Sequence, residues 1–438
     1  MIWLYRLCFV PALVLALPYY GWRMWRRGGY RRDFAHRFGA LGKVPPKAPG
    51  KVRIWLQAVS VGELLAIDPL LRRLDASGAF EVVLTTTTST GRRIAEEKYA
   101  EFTVWRGIFP LDWWWFSARA WKQIRPDQVM LMESELWPEH LHQAARHGLR
   151  PLLLNARLSD TSFRRYQKMR VLARPLLRPL GTILTSSEQD TERFAALKLP
   201  DTTIETMGNL KFDVPLPSPL SDEERAALRT EIGLEPGDRV LLGASTWPGE
   251  ETALVETVKA ARREGLPVKA LIVPRHAERR RELEEPLRAL GLPMHWRTDG
   301  RQAPAGTLVY LADTTGELSR LVQLGDIVFI GKTLPPHREG QTPIEAAGYG
   351  KAILLGPGTA SFRQIVRLLV AHGGARRVAN ATELRTAVLE LLRAPEQRTE
   401  MEAIAAQTHA ASRGALQRVW THFEAWSQAA PAKNLRGD

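Results

Sequence analysis

Cysteine occurs once in this chain, as Cys8. A single thiol excludes an internal disulfide and any zinc site built from cysteines. The GxxxxGK[ST] phosphate loop is absent, and no strand-linked GxGxxG occurs, which argues against a P-loop enzyme and a simple dehydrogenase. No HExxH spacing, no Asp-x-Asp and no Gly-x-Ser-x-Gly elbow is found, which removes the usual signatures of a zinc hydrolase, a metal-bound sugar nucleotide and a serine esterase. Internal repeats and long low-complexity segments are also missing. With 45% apolar and 25% charged residues, the composition is that of a globular protein rather than a disordered one.

What is present begins with length and charge. The 438 residues suit two domains of ordinary size better than one. The formal charge of +14 favours anionic partners: nucleic acid, phosphorylated substrates or acidic lipid headgroups. The first segment narrows this. Leu7 to Tyr20 is free of charge and mostly apolar, and Arg23, Arg26, Arg27, Arg31, Arg32 and Arg37 follow it. The run is short for a bilayer span of about 20 residues, although counting from Ile2 with a snorkelling Arg6 makes spanning feasible. Tyr19, Tyr20, Trp22 and Trp25 suit an interfacial belt, and the arginines suit the cytoplasmic face and anionic lipid. A cleaved signal peptide and a buried core helix are the competing readings. Membrane attachment is the expectation, with spanning and lying flat both open. Nucleic acid is not expected, because no known binding motif accompanies the charge.

From Val52 onward short apolar runs alternate with amphipathic stretches. Strands are expected at 53–59, 81–84, 128–132, 151–154, 182–185 and 203–207, with a helix over 63–74 and a turn over 85–91. Val214-Pro-Leu-Pro-Ser-Pro-Leu-Ser221 then reads as a semi-rigid connector. The alternation restarts at 239–243, 269–273, 307–311, 327–330 and 352–355. This pattern predicts two successive α/β, doubly wound parallel domains. The expected boundaries are 1–40 for the anchor and basic segment, 41–213 for the first domain, 214–221 for the linker, 222–410 for the second domain, and 411–438 for a terminal helix and a frayed tail from Lys433. Ligands of such sheets bind beyond the carboxyl ends of the strands.

The polar residues just after each strand are therefore the candidates. Ser60-Val61-Gly62-Glu63 reads as a capping box, or as a crevice carboxylate able to take a proton, with Gly62 leaving the backbone approachable. In Met132-Glu133-Ser134-Glu135-Leu136-Trp137-Pro138, an extended backbone would put Glu133 and Glu135 on one face, where one pKa would be raised. A solvated loop pair is the bland reading. Arg157, in Asn155-Ala156-Arg157-Leu158-Ser159, would clamp an acidic group or form an internal salt bridge. In the second half, Pro274-Arg275-His276 ends a strand. Asp313-Thr314-Thr315-Gly316-Glu317-Leu318 reads as a helix start able to hold phosphate. Thr342-Pro343-Ile344-Glu345 reads as a capping box with Thr342 as N-cap, or as a carboxylate for ribose hydroxyls. Gly356-Pro357-Gly358 makes a tight loop nearby.

In this order the motifs resemble the Kdo (3-deoxy-D-manno-octulosonic acid) transferases of glycosyltransferase family 30 over nearly the whole chain. Ala58-Val59-Ser60-Val61-Gly62-Glu63, Met132 to Pro138, Gly208-Asn209-Leu210-Lys211-Phe212-Asp213, Gly249-Glu250-Glu251 and Glu345-Ala346-Ala347 carry the likeness. The resemblance implies a GT-B fold, with two Rossmann-like domains facing a central cleft. It implies inverting transfer from CMP-Kdo to a lipid A precursor (lipid IVA) at the inner membrane, with no cofactor. Glu63 would be the general base. Pro274, Arg275, Thr315, Gly316, Glu317, Thr342, Pro343, Ile344 and Glu345 would line the CMP site. Ser60, Gly62, Glu133, Glu135 and Arg157 would lie on the acceptor side. The chain departs from the family pattern at Gln57 (usually His), Trp247 (His), Lys332 (Gly) and Glu339 to Thr342 (Gly-Gly-His-Asn). Two alternatives follow: another nucleotide-sugar donor, or a non-catalytic relative that only binds nucleotide or lipid.

Overall fold

The structure is a computed structural model that describes residues 1–27 and 33–429. Arg31, Arg32 and the tail from Lys433 lie outside the described residues. Cα packing divides the chain into two compact units. Met1–Val214 and the chain from Arg413 onward make the first, and Pro215–Ser412 the second.

The first unit is built on seven parallel strands: β1 Val52–Gln57, β2 Phe80–Thr86, β3 Trp105–Ile108, β4 Gln128–Met132, β5 Leu152–Ala156, β6 Thr182–Thr185 and β7 Thr203–Thr206. Their order is β3-β2-β1-β4-β5-β6-β7. Strands β1, β2 and β4 are almost wholly buried, as expected where helices cover both faces of a parallel sheet. Full burial of each large apolar side chain, such as Trp55 or Leu56, contributes roughly 1.5–3 kcal/mol. The strand order reverses between β1 and β4, so the crevice of this sheet opens where Ser60–Glu63 and Glu133–Glu135 leave their strands.

The second unit repeats the scheme with β8 Arg239–Thr246, β9 Val268–Pro274, β10 Met294–Trp296, β11 Val309–Leu311, β12 Ile327–Ile330, β13 Ala352–Leu355 and β14 Ala375–Arg377. Their order is β10-β11-β9-β8-β12-β13-β14, and the reversal falls between β8 and β12.

Helix α1 covers Ile2–Arg27. The helix expected over 63–74 is two, α2 Val61–Ala66 and α3 Asp68–Ala76. Pro69, in the first turn of α3, has no N–H for the preceding turn and so starts a new helix rather than extending the old one. The segment 214–221 has no regular structure before Asp222. It is tied down within the second unit: the Leu220 N–H donates to Gln323 and the Pro217 carbonyl accepts from the Tyr349 hydroxyl. The last helix, Ala415–Ala429, belongs to the first unit. Asp213 accepts from the Gly414 and Leu416 N–H groups at 2.6 Å each, and Phe423 packs on Phe80.

Candidate active site

At the reversal point of the first sheet, Ser60 is the N-cap of α2. Its hydroxyl accepts from the Glu63 N–H and donates to Glu63 Oε1 at 2.9 Å, while Glu63 Oε2 accepts from the Val59 N–H at 2.9 Å. The Ser60 half of the expected capping box is therefore formed, while the Glu63 carboxylate takes the Val59 N–H rather than that of Ser60, and the motif points a buried carboxylate at the crevice end of β1. A Cβ on Gly62 would meet only Ser60 Oγ at 4.0 Å, so the fold does not need glycine there and the backbone stays open to approach.

Glu133 and Glu135 do not continue an extended strand, so they do not share one strand face. Glu133 takes a left-handed conformation, φ 53°, which turns the chain out of β4. Its carboxylate, 5% exposed, accepts from Lys211 Nζ at 2.8 Å and pairs with Arg157 at 2.5 Å. Arg157 thus forms the internal salt bridge, and Lys211, which sequence reading left without a role, is the second cation. Glu135 is half-buried. One oxygen accepts from Trp137 Nε1 at 2.7 Å; the other has no hydrogen-bond partner among the described residues.

The three carboxylates feel one another. Burial raises the Glu63 pKa, Glu133 raises it further, and the Val59 and Ser60 hydrogen bonds and Lys211 oppose the rise. Burial and then the Glu63 and Glu133 charges push Glu135 up to about 7, against the bond from Trp137. A site with two cations around one glutamate, and two further glutamates whose pKa values are raised, suits acid–base chemistry.

In the second unit the sequence candidates lie at the carboxyl ends of β9, β11 and β13 and in the segment that follows β12. Pro274 is buried as the last residue of β9, and Arg275 is exposed after it. The Arg275 N–H donates to the Thr246 carbonyl at 3.1 Å. Thr315 and Gly316 are exposed, and Gly316 takes a left-handed φ of 84°. The expected helix start at Asp313 is displaced: the helix covers only Leu318–Leu321. Asp313 instead holds Thr298. Glu317 makes a bidentate pair with Arg297, 2.8 Å on each arm. Burial works against ionisation of Glu317, yet that pair and the Thr314 bond keep its pKa below the ordinary value.

The capping box expected at Thr342 is absent. The helix starts at Ile344 with Pro343 at the N-cap position, and the exposed Thr342 hydroxyl accepts only from the Ile344 N–H, at 3.3 Å. Glu345 leans on Ser319 instead, and burial raises its pKa. The segments around 319 and 345 are therefore neighbours.

A second group was not anticipated. Trp247, after β8, has Lys332 Nζ 4.2 Å above its ring and the rings of His276 and His337 at 5.5 and 5.8 Å. Ser245 and Lys332 adopt left-handed conformations, φ 55° and 60°. Between their strands Gly331 is obligatory, since a Cβ would lie 2.2 Å from the Ser245 carbonyl oxygen. Glu250 fastens the turn by accepting from the N–H groups of Trp247, Lys332, Thr333 and Leu334 at 2.7–3.0 Å. Gly356-Pro357-Gly358 packs on the same loop through Gly356 N–H to Thr333 Oγ1 and Gly358 N–H to the Thr333 carbonyl, both 2.8 Å.

Three buried polar atoms at these strand ends, Thr246 Oγ1, Trp247 Nε1 and a Glu345 carboxylate oxygen, have no hydrogen-bond partner among the described residues. Most buried polar groups are paired, so these three atoms retain hydrogen-bonding capacity that the described residues do not use. The only sequence signal for Trp247 and Lys332 was their departure from a family pattern.

A family model described as 3-Deoxy-D-manno-octulosonic-acid transferase (kdotransferase) matches residues 32–214. The chain is 32% identical over 417 residues to the 3-deoxy-D-manno-octulosonic acid transferase of Bordetella pertussis, covering 92% of this chain and 95% of that protein. It is 29% identical over 416 residues to the protein of the same name from Haemophilus influenzae, covering 94% and 93%. Among solved structures, UDP-GlcNAc 2-epimerase from Neisseria meningitidis bound to UDP-GlcNAc is similar with a TM-score of 0.57 and 13% identity, covering 85% of this chain and 100% of that one. That last likeness concerns the fold alone, which is GT-B-like.

Proposed function

Because the chain belongs to the 3-deoxy-D-manno-octulosonic acid transferase family, we propose that it transfers Kdo from CMP-Kdo to a lipid A precursor (lipid IVA), with inversion at the anomeric carbon. The observation that carries this reading is the acidic cluster at the reversal point of the first sheet, where burial and like charge hold Glu63 and Glu135 ready to accept a proton. The acceptor hydroxyl attacks the anomeric carbon and gives its proton to Glu63. The bond to the CMP phosphate breaks, and the phosphate leaves with the electron pair. CMP is a good leaving group, so a base, an oriented acceptor and a phosphate clamp suffice.

In this reading the first unit supplies acceptor and base, and Ser60 and the Val59 N–H fix the direction of the Glu63 carboxylate. Gly62, Glu133, Glu135 and Arg157 lie on the acceptor side. The second unit supplies the donor site: Arg275 for the phosphate, and Pro274, Thr315 to Glu317 and Thr342 to Glu345 around the nucleotide. Helix α1 attaches the protein to the cytoplasmic face of the inner membrane. Its window of mean hydropathy 1.6 is long and apolar enough to enter a bilayer, and the basic chain suits anionic lipid.

Mass spectrometry of a tetraacyl lipid A precursor incubated with the protein and CMP-Kdo tests the reading. A mass increase by Kdo supports it. A product only with UDP-sugars assigns another donor, and CMP binding without turnover assigns a non-catalytic relative.

A second assignment of the base is favoured by the unpartnered oxygen and the lesser burial of Glu135. Glu135→Gln would then abolish transfer, whereas with Glu63 as base it only alters the pH profile.

A further inference from the structure

Among the described residues, all the exposed large hydrophobic side chains belong to the first unit. Most are on α1, including Leu7, Val10, Val14, Leu15 and Leu17, with Tyr19, Tyr20, Trp22 and Trp25 at its far end. Yet α1 is not free at its beginning. The Tyr5 hydroxyl donates to Asp112 at 2.7 Å. Arg6 makes a bidentate pair with Glu139 at 2.8 and 2.9 Å, and Glu139 is 0% exposed. Phe9 stacks on Trp113 at 5.6 Å. Asp112 in turn accepts from the Glu139 and His140 N–H groups.

The chain beyond α1 is fastened to the same body. Asp33 pairs with Arg92 at 2.7 Å, His36 lies on Trp105, and the Arg37 carbonyl accepts from the Leu111 N–H.

Chain length then decides the topology. From Phe9 to Arg27 the helix rises ~27 Å at about 1.5 Å per residue. From Arg27 to Asp33 there are six steps, which reach at most ~22 Å. The hydrocarbon layer is about 30 Å thick. A helix leaving the body at Phe9 and crossing the layer would need those six steps to cross back, with Arg31 and Arg32 among them. A helix crossing with its first residues on the far side would abandon all three contacts and leave the Glu139 carboxylate buried without its cation. A helix about 10–12 Å across does fit inside one leaflet, which is about half that layer.

We infer that α1 is a monotopic anchor: it lies within one leaflet, and both its ends stay on the side of the bilayer that carries the catalytic units. The inference rests on the membrane attachment proposed above, but not on the identity of the sugar. The leaflet surface would extend over neighbouring parts of the first unit. Trp115 is 67% exposed beside Trp114, whose ring lies under the Arg6 guanidinium. Val171, 77% exposed, is flanked by the exposed cations Arg164, Arg165, Lys168 and Arg170, a combination that suits acyl chains beneath anionic headgroups.

Two measurements on the full-length protein test this. One epitope tag is placed ahead of Met1 and another after Asp438, and protease is added to inverted membrane vesicles and to right-side-out spheroplasts. Both tags are expected to be lost in inverted vesicles and retained in spheroplasts. Loss of the first tag only in spheroplasts, with loss of the second only in inverted vesicles, would overturn the inference. The second measurement uses Cys8, the sole native thiol. In Trp114→Cys, a bis-maleimide added to membranes is expected to link positions 8 and 114 within one chain; an absent link, with both thiols alkylated singly, overturns the docking of α1. A protein recovered wholly in the soluble fraction refutes attachment itself. Transfer from CMP-Kdo in the same vesicles is read separately, so failure of the sugar assignment leaves these outcomes intact.

Discussion

The Glu63 carboxylate and the Ser60 hydroxyl are 2.9 Å apart, and the same hydroxyl accepts from the Glu63 N–H at 3.4 Å, so one serine both caps a helix and aims a proton acceptor. Substitution separates these roles. In Glu63→Gln the amide oxygen can still accept from the Val59 N–H, and the fold should keep its melting temperature. Transfer should fall by about 10²–10⁴-fold, the usual contribution of a general base. Glu63→Ala should lose transfer to the same extent and melt lower, because the Val59 N–H and the Ser60 hydroxyl lose their acceptor, about 0.5–1.5 kcal/mol for each bond. Calorimetry beside a transfer assay checks both. Normal turnover in Glu63→Gln removes Glu63 from the base role.

The pH profile reports the coupled carboxylates. A base must be ionised to act, so kcat/KM should rise with pH through an acidic limb placed by the raised values of Glu63 and Glu135. Lys211→Met should move that limb to higher pH, because Lys211 lowers the Glu63 pKa and balances Glu133. Glu135→Gln should move it lower by removing a like charge. Limbs that stay in place in both variants would show that neither group is coupled to the base.

Stability should carry the same signature with the opposite sense. Glu135 sits at about 7 in the fold, above the value of about 4.3 expected unfolded. Between these values the native state holds more protons, so stability falls as pH rises through that window. Asp112, pushed up to about 6 mainly by burial, acts in the same direction. Melting temperatures of Glu135→Gln and the parent should agree near pH 4 and separate by pH 8, with the variant higher.

For the donor side, Arg275→Ala should weaken donor binding by about 10–150-fold, the loss of a charge-assisted bond of roughly 1.5–3 kcal/mol. Its exposed guanidinium makes no ion pair among the described residues, so melting should not change. Titration calorimetry with CMP reads the first effect. Unchanged affinity would take Arg275 out of the phosphate site.

Glu250→Ala should behave in the contrary way. It strips a common acceptor from four N–H groups, and each buried donor left unpaired costs about 1–3 kcal/mol. A large drop in melting temperature is expected, together with loss of CMP binding as the Trp247–Lys332 turn loosens. A variant that melts like the parent would refute the fastening role.

Much of this molecule is written locally. Strands β4, β6, β12 and β13 fall where apolar runs with flanking turn residues place them, because a strand buried on both faces leaves a continuous hydrophobic signal. The strands that sequence reading missed, β3, β10 and β14, are all at sheet edges, where one side lacks a neighbour and the pattern fades. Pro69 was visible, yet its division of α2 from α3 was not foreseen. The Ser60 and Glu63 cap was legible because it spans only four residues. The Thr342 cap was equally legible and did not form, since the chain enters that helix one residue later. What only the tertiary structure decided is which side chains share a field. Strand order puts β1 beside β4 and β8 beside β12, so Glu63 meets Glu133 and Glu135, and Trp247 meets Lys332, across long stretches of chain. No periodicity or capping motif encodes that adjacency, because it follows from how the sheets wind. The same holds for α1: its apolar composition was plain, but the contacts of Tyr5, Arg6 and Phe9 with the body of the first unit exist only after folding.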